Sequence, residues 1–193
     1  MIKAVIFDCF GVLAQDAWLK FCEEHFDKPI ERSVARDLLK QHDTGLITAQ
    51  EFSQQASELS GVSAKELEMV ITTHTTKNEQ LLALISQLKK AEYKVAILSN
   101  VGEDWLNNFL TVDERALFDD ILLSYKVKLT KPDPLIYMMS ADRLGLLPQE
   151  CVFVDDRQVC VDGARGVGMK GVLYDDFKSF KDHLAPILAN PNL

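Results

Sequence analysis

Five short apolar runs, each followed by turn residues and an amphipathic helical pattern, most constrain the fold of this chain. The runs are Ala4-Val5-Ile6-Phe7, Val95-Ala96-Ile97-Leu98, Ile121-Leu122-Leu123, Val152-Phe153-Val154 and Val172-Leu173-Tyr174. Strands that alternate with helices along a chain form a parallel sheet with helices on both faces. We therefore predict an α/β fold: a three-layer, doubly wound, Rossmann-like sheet of five parallel strands.

Residues 14–77 break this alternation, because they contain no β-branched run and show helical periodicity throughout. Helix-start signals divide the segment into four short helices. One example is Thr48 followed three residues later by Glu51, the pattern of a capping box. We predict a core domain formed by residues 1–13 and 78–193, with an all-helical cap, residues 14–77, inserted after the first strand.

Bulk composition excludes several classes of protein. The net charge of -8 and the lack of a basic run argue against nucleic-acid binding. The apolar stretch at the N-terminus is too short for a signal peptide or a membrane span. The four cysteines show no metal-binding spacing, and a chain of this size needs no disulfides, so we expect a reduced cytoplasmic setting. The sequence does not indicate an oligomeric state.

Carboxylates follow two of the predicted strands. Asp8 follows the first run directly, and Asp155 and Asp156 follow the fourth. The carboxyl ends of parallel strands meet in one crevice, so these acids should lie together. Two carboxylates about 4 Å apart repel by roughly 4 kcal/mol at an effective dielectric of 20. An all-oxygen ligand set suits Mg²⁺ better than zinc, and we therefore predict a magnesium site.

Further polar residues follow the second and third strands. Ser99 and Asn100 could donate hydrogen bonds to an oxyanion. Lys131 precedes a Pro-Asp-Pro sequence that should hold its backbone extended, and its ammonium would offset negative charge near Asp8. Arg157, beside the acidic pair, is a candidate for substrate contact. The four histidines, His25, His42, His74 and His183, have no companion ligands and are expected to be surface or capping residues.

In their order along the chain, Asp8 with Gly11, Ser99-Asn100, Lys131-Pro132 and Asp155-Asp156 resemble the motifs of the haloacid dehalogenase-like hydrolase superfamily. The resemblance covers essentially the whole chain, including a small cap between the first two motifs. Within the superfamily, the chain looks most similar to the small phosphatases of sugar phosphates. The resemblance implies a hydrolase of a small phosphorylated metabolite.

The resemblance also implies residue roles. Asp8 would attack phosphorus and form a phosphoaspartate intermediate, which water then hydrolyses. Magnesium would be held by Asp8, the backbone carbonyl of Phe10, and Asp155 or Asp156. Ser99, with Asn100, would bind the phosphoryl oxygens, and Lys131 would complete the charge clamp.

The position two residues after Asp8 departs from the superfamily pattern and leaves alternatives open. Many of these phosphatases place a general acid/base aspartate two residues after the nucleophile, where this chain has Phe10. Loss of such a group costs roughly 10²- to 10⁴-fold in rate. The alternatives are a hydrolase similar to the 2-haloacid dehalogenases, or a module that binds phosphate without turnover. Dependence of turnover on magnesium distinguishes the phosphatase from the dehalogenase, which needs no metal.

Overall fold

The computed structural model describes residues 1–188, except for the side chain of residue 108. It confirms the predicted parallel sheet of five strands, in the spatial order β3-β2-β1-β4-β5. The strands are β1 (Ala4–Phe7), β2 (Lys94–Ser99), β3 (Asp120–Leu123), β4 (Cys151–Asp155) and β5 (Lys170–Leu173). The predicted bounds differ most at β5, which begins at Lys170 and ends before Tyr174. As an edge strand paired with β4 alone, β5 tolerates an exposed lysine and a glycine that do not look like a buried strand.

The central position of β1 determines where the first motif lies. All four of its residues are buried, and it pairs with β2 on one side and β4 on the other. Because Phe7 lies opposite Val154, Asp8 emerges beside Asp155 at the carboxyl edge of the sheet. Ser99 ends β2 at the same edge.

Eleven α-helices accompany the sheet within the described residues, and a 3₁₀ turn, Pro148–Glu150, precedes β4. They are α1 (Ala17–His25), α2 (Pro29–Asp43), α3 (Ala49–Ser60), α4 (Ala64–His74), α5 (Glu79–Lys90), α6 (Leu106–Phe109), α7 (Val112–Arg115), α8 (Ser124–Val127), α9 (Pro134–Arg143), α10 (Gln158–Gly166) and α11 (Phe177–Leu188). Side chains of α5 and α11 pack on one face of the sheet, and those of α9 and α10 pack on the other, which produces the three layers. None of these helices combines the length and apolar character needed to cross a bilayer.

Helices α1 to α4 form the four-helix segment that the sequence punctuation predicts. Capping boxes start α3 at Thr48 and α4 at Ser63. The helices bury a hydrophobic cluster of their own, which includes Phe21, Phe26 and Phe52. That 14–77 is a separate cap domain stays a prediction, and residues 189–193 of the predicted core lie outside the described residues.

Two kinds of contact join this helical segment to the sheet domain. Where the chain leaves and re-enters the core, Ala14 forms a β-bridge with Lys77. At the end of α2, the Ser124 hydroxyl donates to the Asp43 carbonyl at 2.6 Å, and the Lys128 ammonium donates to the Gly45 carbonyl at 2.9 Å. The carboxyl end of α2 is thereby held against the segment that follows β3, residues 124–128.

Candidate active site

Asp8 lies at the carboxyl end of the central strand with its carboxylate restrained by two donors. Its Oδ1 accepts from the Cys9 backbone N–H at 2.6 Å and forms an ion pair with Lys131 Nζ at 2.7 Å. Burial raises the pKa of Asp8, and the Lys131 ammonium opposes that increase. The arrangement fixes one carboxylate oxygen and leaves the other, Oδ2, without a recorded protein donor in the described residues.

Lys131 is buried next to Asp8. Only 4% of the residue is exposed, and Nζ contacts Asp155 Oδ2 at 2.6 Å as well as Asp8. Burial alone would lower the pKa of Lys131, but the charges of Asp8 and Asp155 overcome that effect and raise it. The ammonium therefore remains charged and already offsets part of the negative charge of the acidic cluster.

Asn100 holds the backbone of Lys131 in place. Its side-chain oxygen accepts from the Lys131 N–H at 2.8 Å, and its amide nitrogen donates to the Lys131 carbonyl at 3.1 Å. Asn100 thus links the end of β2 to the loop after β3. This observed role is positional, and the predicted contact of Asn100 with phosphate stays a prediction.

The two acids after β4 have different surroundings. Asp155 is fully buried, bonds to Lys131, and accepts from the Arg157 backbone N–H at 2.9 Å. Asp156 Oδ1 is buried with no hydrogen-bond partner in the described residues. Burial and the neighbouring Asp155 charge raise the pKa of Asp156 to about 6. The orphaned oxygen of Asp156 is available to a cation, whereas Asp155 is already paired.

Gly11 shapes the pocket around Asp156. Its φ of +82° is a conformation that glycine adopts readily, and a Cβ at this position would overlap the Asp156 carboxylate. One carboxylate oxygen from each of Asp8, Asp155 and Asp156 lies within 4.8 Å of the others. Three hard oxygen donors, one of them orphaned, fit a magnesium ion.

Asp8 and Asp156 form the floor of a cavity of about 1110 Å³ between the helical segment and the sheet. Phe10 and Trp105 form part of the wall, with stacked rings 4.7 Å apart, and Phe109 packs against Trp105 at 4.5 Å. Trp18 and Phe52 contribute from the helical segment. Phe10 is therefore an aromatic wall residue of the cavity.

The structure brings most of the predicted site residues into this cavity. Asp8, Phe10, Asn100, Lys131, Asp156 and Arg157 all line it. Asp155 and Ser99 lie behind the cavity surface. Ser99 is 1% exposed, and its Oγ has no hydrogen-bond partner in the described residues. Arg157 is exposed at the rim, consistent with the predicted substrate contact, which stays a prediction.

The cavity also contains residues that the sequence patterns did not assign to the site, and three of them bear on its chemistry. Asp43 and His42 come from the end of α2, and Asp16 caps the start of α1 by accepting from the Leu19 N–H at 2.9 Å. The expectation that His42 is a surface or capping residue is wrong. Its ring stacks on Phe52 and packs so closely against Gly102 that a Cβ there would overlap it. Asp43 ends a helix two residues before Gly45, a sequence that is typical of a turn, so the sequence did not indicate a functional role for it.

Comparison with known proteins agrees with the geometry. Residues 2–168 match the family described as haloacid dehalogenase-like hydrolase. The chain belongs to this family. A haloacid dehalogenase-like hydrolase is an enzyme, so the alternative of a non-enzymatic module has no support from the family assignment. The five-stranded parallel sheet is the fold of the family's solved structures.

Curated relatives include proteins of several activities. The phosphorylated carbohydrates phosphatase of Thermotoga maritima is 24% identical over 98% of this hydrolase and 95% of its own length. Bifunctional epoxide hydrolase 2 of Sus scrofa is 29% identical over 91% of this chain, and (S)-2-haloacid dehalogenase 4A of Burkholderia cepacia is 37% identical over 46% of it. The chain covers only 37% and 38% of the length of those two relatives.

Solved structures share the architecture. A haloacid dehalogenase-family enzyme of Bacteroides thetaiotaomicron, solved in complex with magnesium and inorganic phosphate, superposes with a TM-score of 0.71 at 25% identity. The match covers 90% of this chain and 94% of that one. A protein of Porphyromonas gingivalis described as a predicted HAD-like family hydrolase, at 20% identity and a TM-score of 0.75, shares the fold over 97% of this chain and 98% of its own.

Proposed function

We propose that this hydrolase is a Mg²⁺-dependent phosphatase of a small phosphorylated metabolite, with sugar phosphates as the first candidates. The observation that carries the proposal is the Asp8 carboxylate on the cavity floor, fixed by Lys131 and the Cys9 N–H, with the orphaned Asp156 oxygen nearby. The Thermotoga relative acts on phosphorylated carbohydrates, by its name, and the Bacteroides relative binds magnesium and phosphate. Both relatives support this proposal.

Asp8, Asp156 and the backbone carbonyl of Phe10 would hold the magnesium ion. Asp155 would serve mainly to fix Lys131, since its oxygens already accept from Lys131 and from the Arg157 N–H. Magnesium, when bound, supplies positive charge to the phosphoryl oxygens.

The residues of the chain would carry out a two-step displacement. The free oxygen of Asp8 attacks phosphorus, the bond from phosphorus to the ester oxygen breaks, and a phosphoaspartate forms. Water then attacks phosphorus and releases inorganic phosphate and the Asp8 carboxylate. Lys131 offsets charge on the transferring group, Ser99 and Asn100 are the predicted donors to its oxygens, and Arg157 is the predicted contact at the rim.

Phosphate release from a panel of sugar phosphates and other phosphomonoesters, with and without MgCl₂, tests this proposal. The wild-type chain should release phosphate only with the metal, and Asp8→Asn should release none. Asp162→Asn is a matched control, because Asp162 is an exposed carboxylate on α10 that bonds to Gln158 and Arg165, away from the cavity. Wild-type activity in Asp8→Asn would contradict the assignment of the nucleophile.

Two observations favour the dehalogenase alternative: the aromatic Phe10 where many phosphatases carry an acid, and the partial match to the Burkholderia dehalogenase. The buried, unpartnered carboxylate of Asp156 argues against it, because an uncompensated anion would repel an anionic haloacid. Metal-independent chloride release from 2-chloropropionate, without phosphate release from any ester, would favour this alternative.

A further inference from the structure

We propose that Asp43, at the end of α2, is the general acid and base for hydrolysis at Asp8, and replaces the acid that is missing at Phe10. This inference rests on the proposed phosphatase function. It assigns to the helical segment a catalytic residue, whereas the sequence motifs lie entirely in the sheet domain. The ester oxygen that leaves, and later the attacking water, would occupy the cavity between Asp8 and Asp43.

The position of Asp43 is the first support. It is 8% exposed, and the part that remains accessible lines the same cavity as Asp8, Lys131 and Asp156. Its backbone carbonyl accepts from the Ser124 hydroxyl at 2.6 Å, and the same hydroxyl contacts the Val101 backbone N–H and carbonyl. Asp43 is therefore tied to the loop that follows Ser99 and Asn100, at the carboxyl edge of the sheet.

The second support is that the Asp43 carboxylate has no partner among the described residues. In the described residues, the Asp43 side chain has no hydrogen-bond or ion-pair partner, although nine-tenths of the residue is buried. Asp16, another acid of the cavity, caps α1 through its bond to the Leu19 N–H. Asp8 and Asp155 are paired with Lys131. Asp156 also has an unpartnered oxygen, but that oxygen is assigned to the magnesium ion, so Asp43 is the buried cavity acid that is left without a role.

The surroundings of Asp43 suit proton transfer near neutral pH. Burial raises its pKa to about 7, the Lys131 and Arg157 charges oppose that increase, and the Asp16 charge adds to it. Lys131 is paired with Asp8 and lines the same cavity as Asp43, so its charge acts on both carboxyls. An acid that is protonated in part of the population at pH 7 can donate a proton and recover it in the same cycle.

The proton balance of the two steps is complete without another reactant. In the first, Asp8 attacks phosphorus, the ester bond breaks, and protonated Asp43 donates its proton to the leaving oxygen, which departs as an alcohol. In the second, the Asp43 carboxylate takes a proton from water as the water oxygen attacks phosphorus. Phosphate and the Asp8 carboxylate are released, and Asp43 is again protonated.

His42 is the neighbouring group that could compete for this role. Burial lowers its pKa, which keeps the ring neutral at pH 7, and the ring is packed between Phe52 and the backbone at Gly102. That packing explains His42 as part of the cavity wall. The test therefore includes a His42→Gln variant.

The experiment compares two leaving groups across pH in the full chain with MgCl₂. A general acid matters most for alkyl esters, whose leaving oxygen needs a proton, and least for 4-nitrophenyl phosphate. Asp43→Asn should lower kcat/KM for an alkyl phosphate by roughly 10²- to 10⁴-fold, and for 4-nitrophenyl phosphate by no more than about tenfold. The wild-type kcat/KM for the alkyl ester should fall as pH rises through about 7, and Asp43→Asn should lack that fall.

Three further variants separate a catalytic role from a structural one. Asp43→Glu keeps a carboxylic acid and should recover part of the selectivity for alkyl esters. Asp16→Asn, which retains a helix-capping side chain, should affect both esters equally and keep the pH dependence. An equal loss on both esters in Asp43→Asn, or a pH dependence that disappears in His42→Gln instead, would overturn the assignment. If the wild type released phosphate from none of the esters, both the proposed function and the role of Asp43 would be refuted. If release depended on Asp8 but were unchanged in Asp43→Asn, only the role of Asp43 would be refuted.

Discussion

At the scale of single residues, the site depends on how each charge is surrounded. The sequence places Asp8, Asp155 and Asp156 at strand ends and Lys131 after the third strand, and the structure brings these residues together. The sequence could not show which of Asp155 and Asp156 pairs with Lys131 and which remains available to a cation, because that depends on which carboxylate turns toward the ammonium. Nor could it identify Asp43, since the cavity that encloses this residue forms only when α2 packs against the sheet domain.

Replacement of Lys131 by methionine should be strongly destabilising. The substitution leaves Asp8 and Asp155 facing each other without the buried ammonium that contacts both. Loss of one partner from a buried ion pair costs about 3–5 kcal/mol, and urea unfolding without metal should show a decrease of that size. Lys126→Met removes an exposed lysine from its ion pair with Asp104 and should cost at most about 1 kcal/mol. Equal effects of the two variants would contradict this account.

Gly11→Ala tests the fit between the first motif and Asp156. A side chain at Gly11 meets both a positive φ and the Asp156 carboxylate. Gly61→Ala is a matched control, because Gly61 also has a positive φ, of +74°, but has open space around it. Both variants should lose about 1–2 kcal/mol from the left-handed backbone, and Gly11→Ala should lose more and bind magnesium more weakly. Thermal unfolding and a magnesium titration would measure these differences. Equal losses in the two variants would mean that the Asp156 side chain can move away from the added methyl group without loss of stability.

Asp43→Asn should also change the pH dependence of stability. Burial raises the folded-state pKa of Asp43 from 3.8 to about 7, so the folded state binds more protons than the unfolded state between these values. The free energy of unfolding therefore falls as pH rises from about 4 to 7. The neutral amide avoids this loss, and the variant should be more stable than wild type at pH 8 by up to about 4 kcal/mol. Chemical unfolding at pH 8 and pH 4 measures this difference in the free energy of unfolding. If Asp43→Asn remained more stable than wild type at pH 4, the raised pKa of Asp43 would not be the cause.

At the scale of elements, long periodic segments were predictable and short ones were not. The four helices α1 to α4 follow from capping boxes and apolar spacing, because each has several turns in which a pattern can repeat. Helices α6, α7 and α8 each have four residues, too few for a periodic signal, and were not predicted. Among them, α8 carries Ser124, which holds the end of α2.

Ser124→Ala should loosen the contact between α2 and the sheet domain. The hydroxyl is buried and bonds to the Asp43 carbonyl and to the Val101 backbone, so its removal leaves buried polar groups unpaired, at a cost of about 1–3 kcal/mol. Hydrogen exchange should increase in residues 41–46. Ser86→Ala, which removes only a bond to the carbonyl one turn earlier in α5, should leave that exchange unchanged. Exchange that increases equally in both variants would contradict this anchoring role.

At the scale of the whole molecule, a chain with a net charge of -8 places positive side chains at the cavity where an anion would bind. Lys131 and Arg157 face the cavity, and a magnesium ion would add to them. The order of the strands and the enclosure of the cavity by the helical segment are long-range properties, which local patterns do not specify. The alternation of strands and helices specified the fold class, and the strand ends indicated where the site would lie.

The most direct test of the central claim is chemical trapping of the intermediate at Asp8. Turnover of an accepted phosphate ester with MgCl₂ is quenched and treated with borohydride, which reduces an aspartyl phosphate to homoserine. Peptide mass analysis then locates the modified residue. We predict homoserine at position 8, dependent on substrate and metal and absent from Asp8→Asn. Rapid phosphate release with no modification at position 8, or with modification of a different aspartate, would contradict the account.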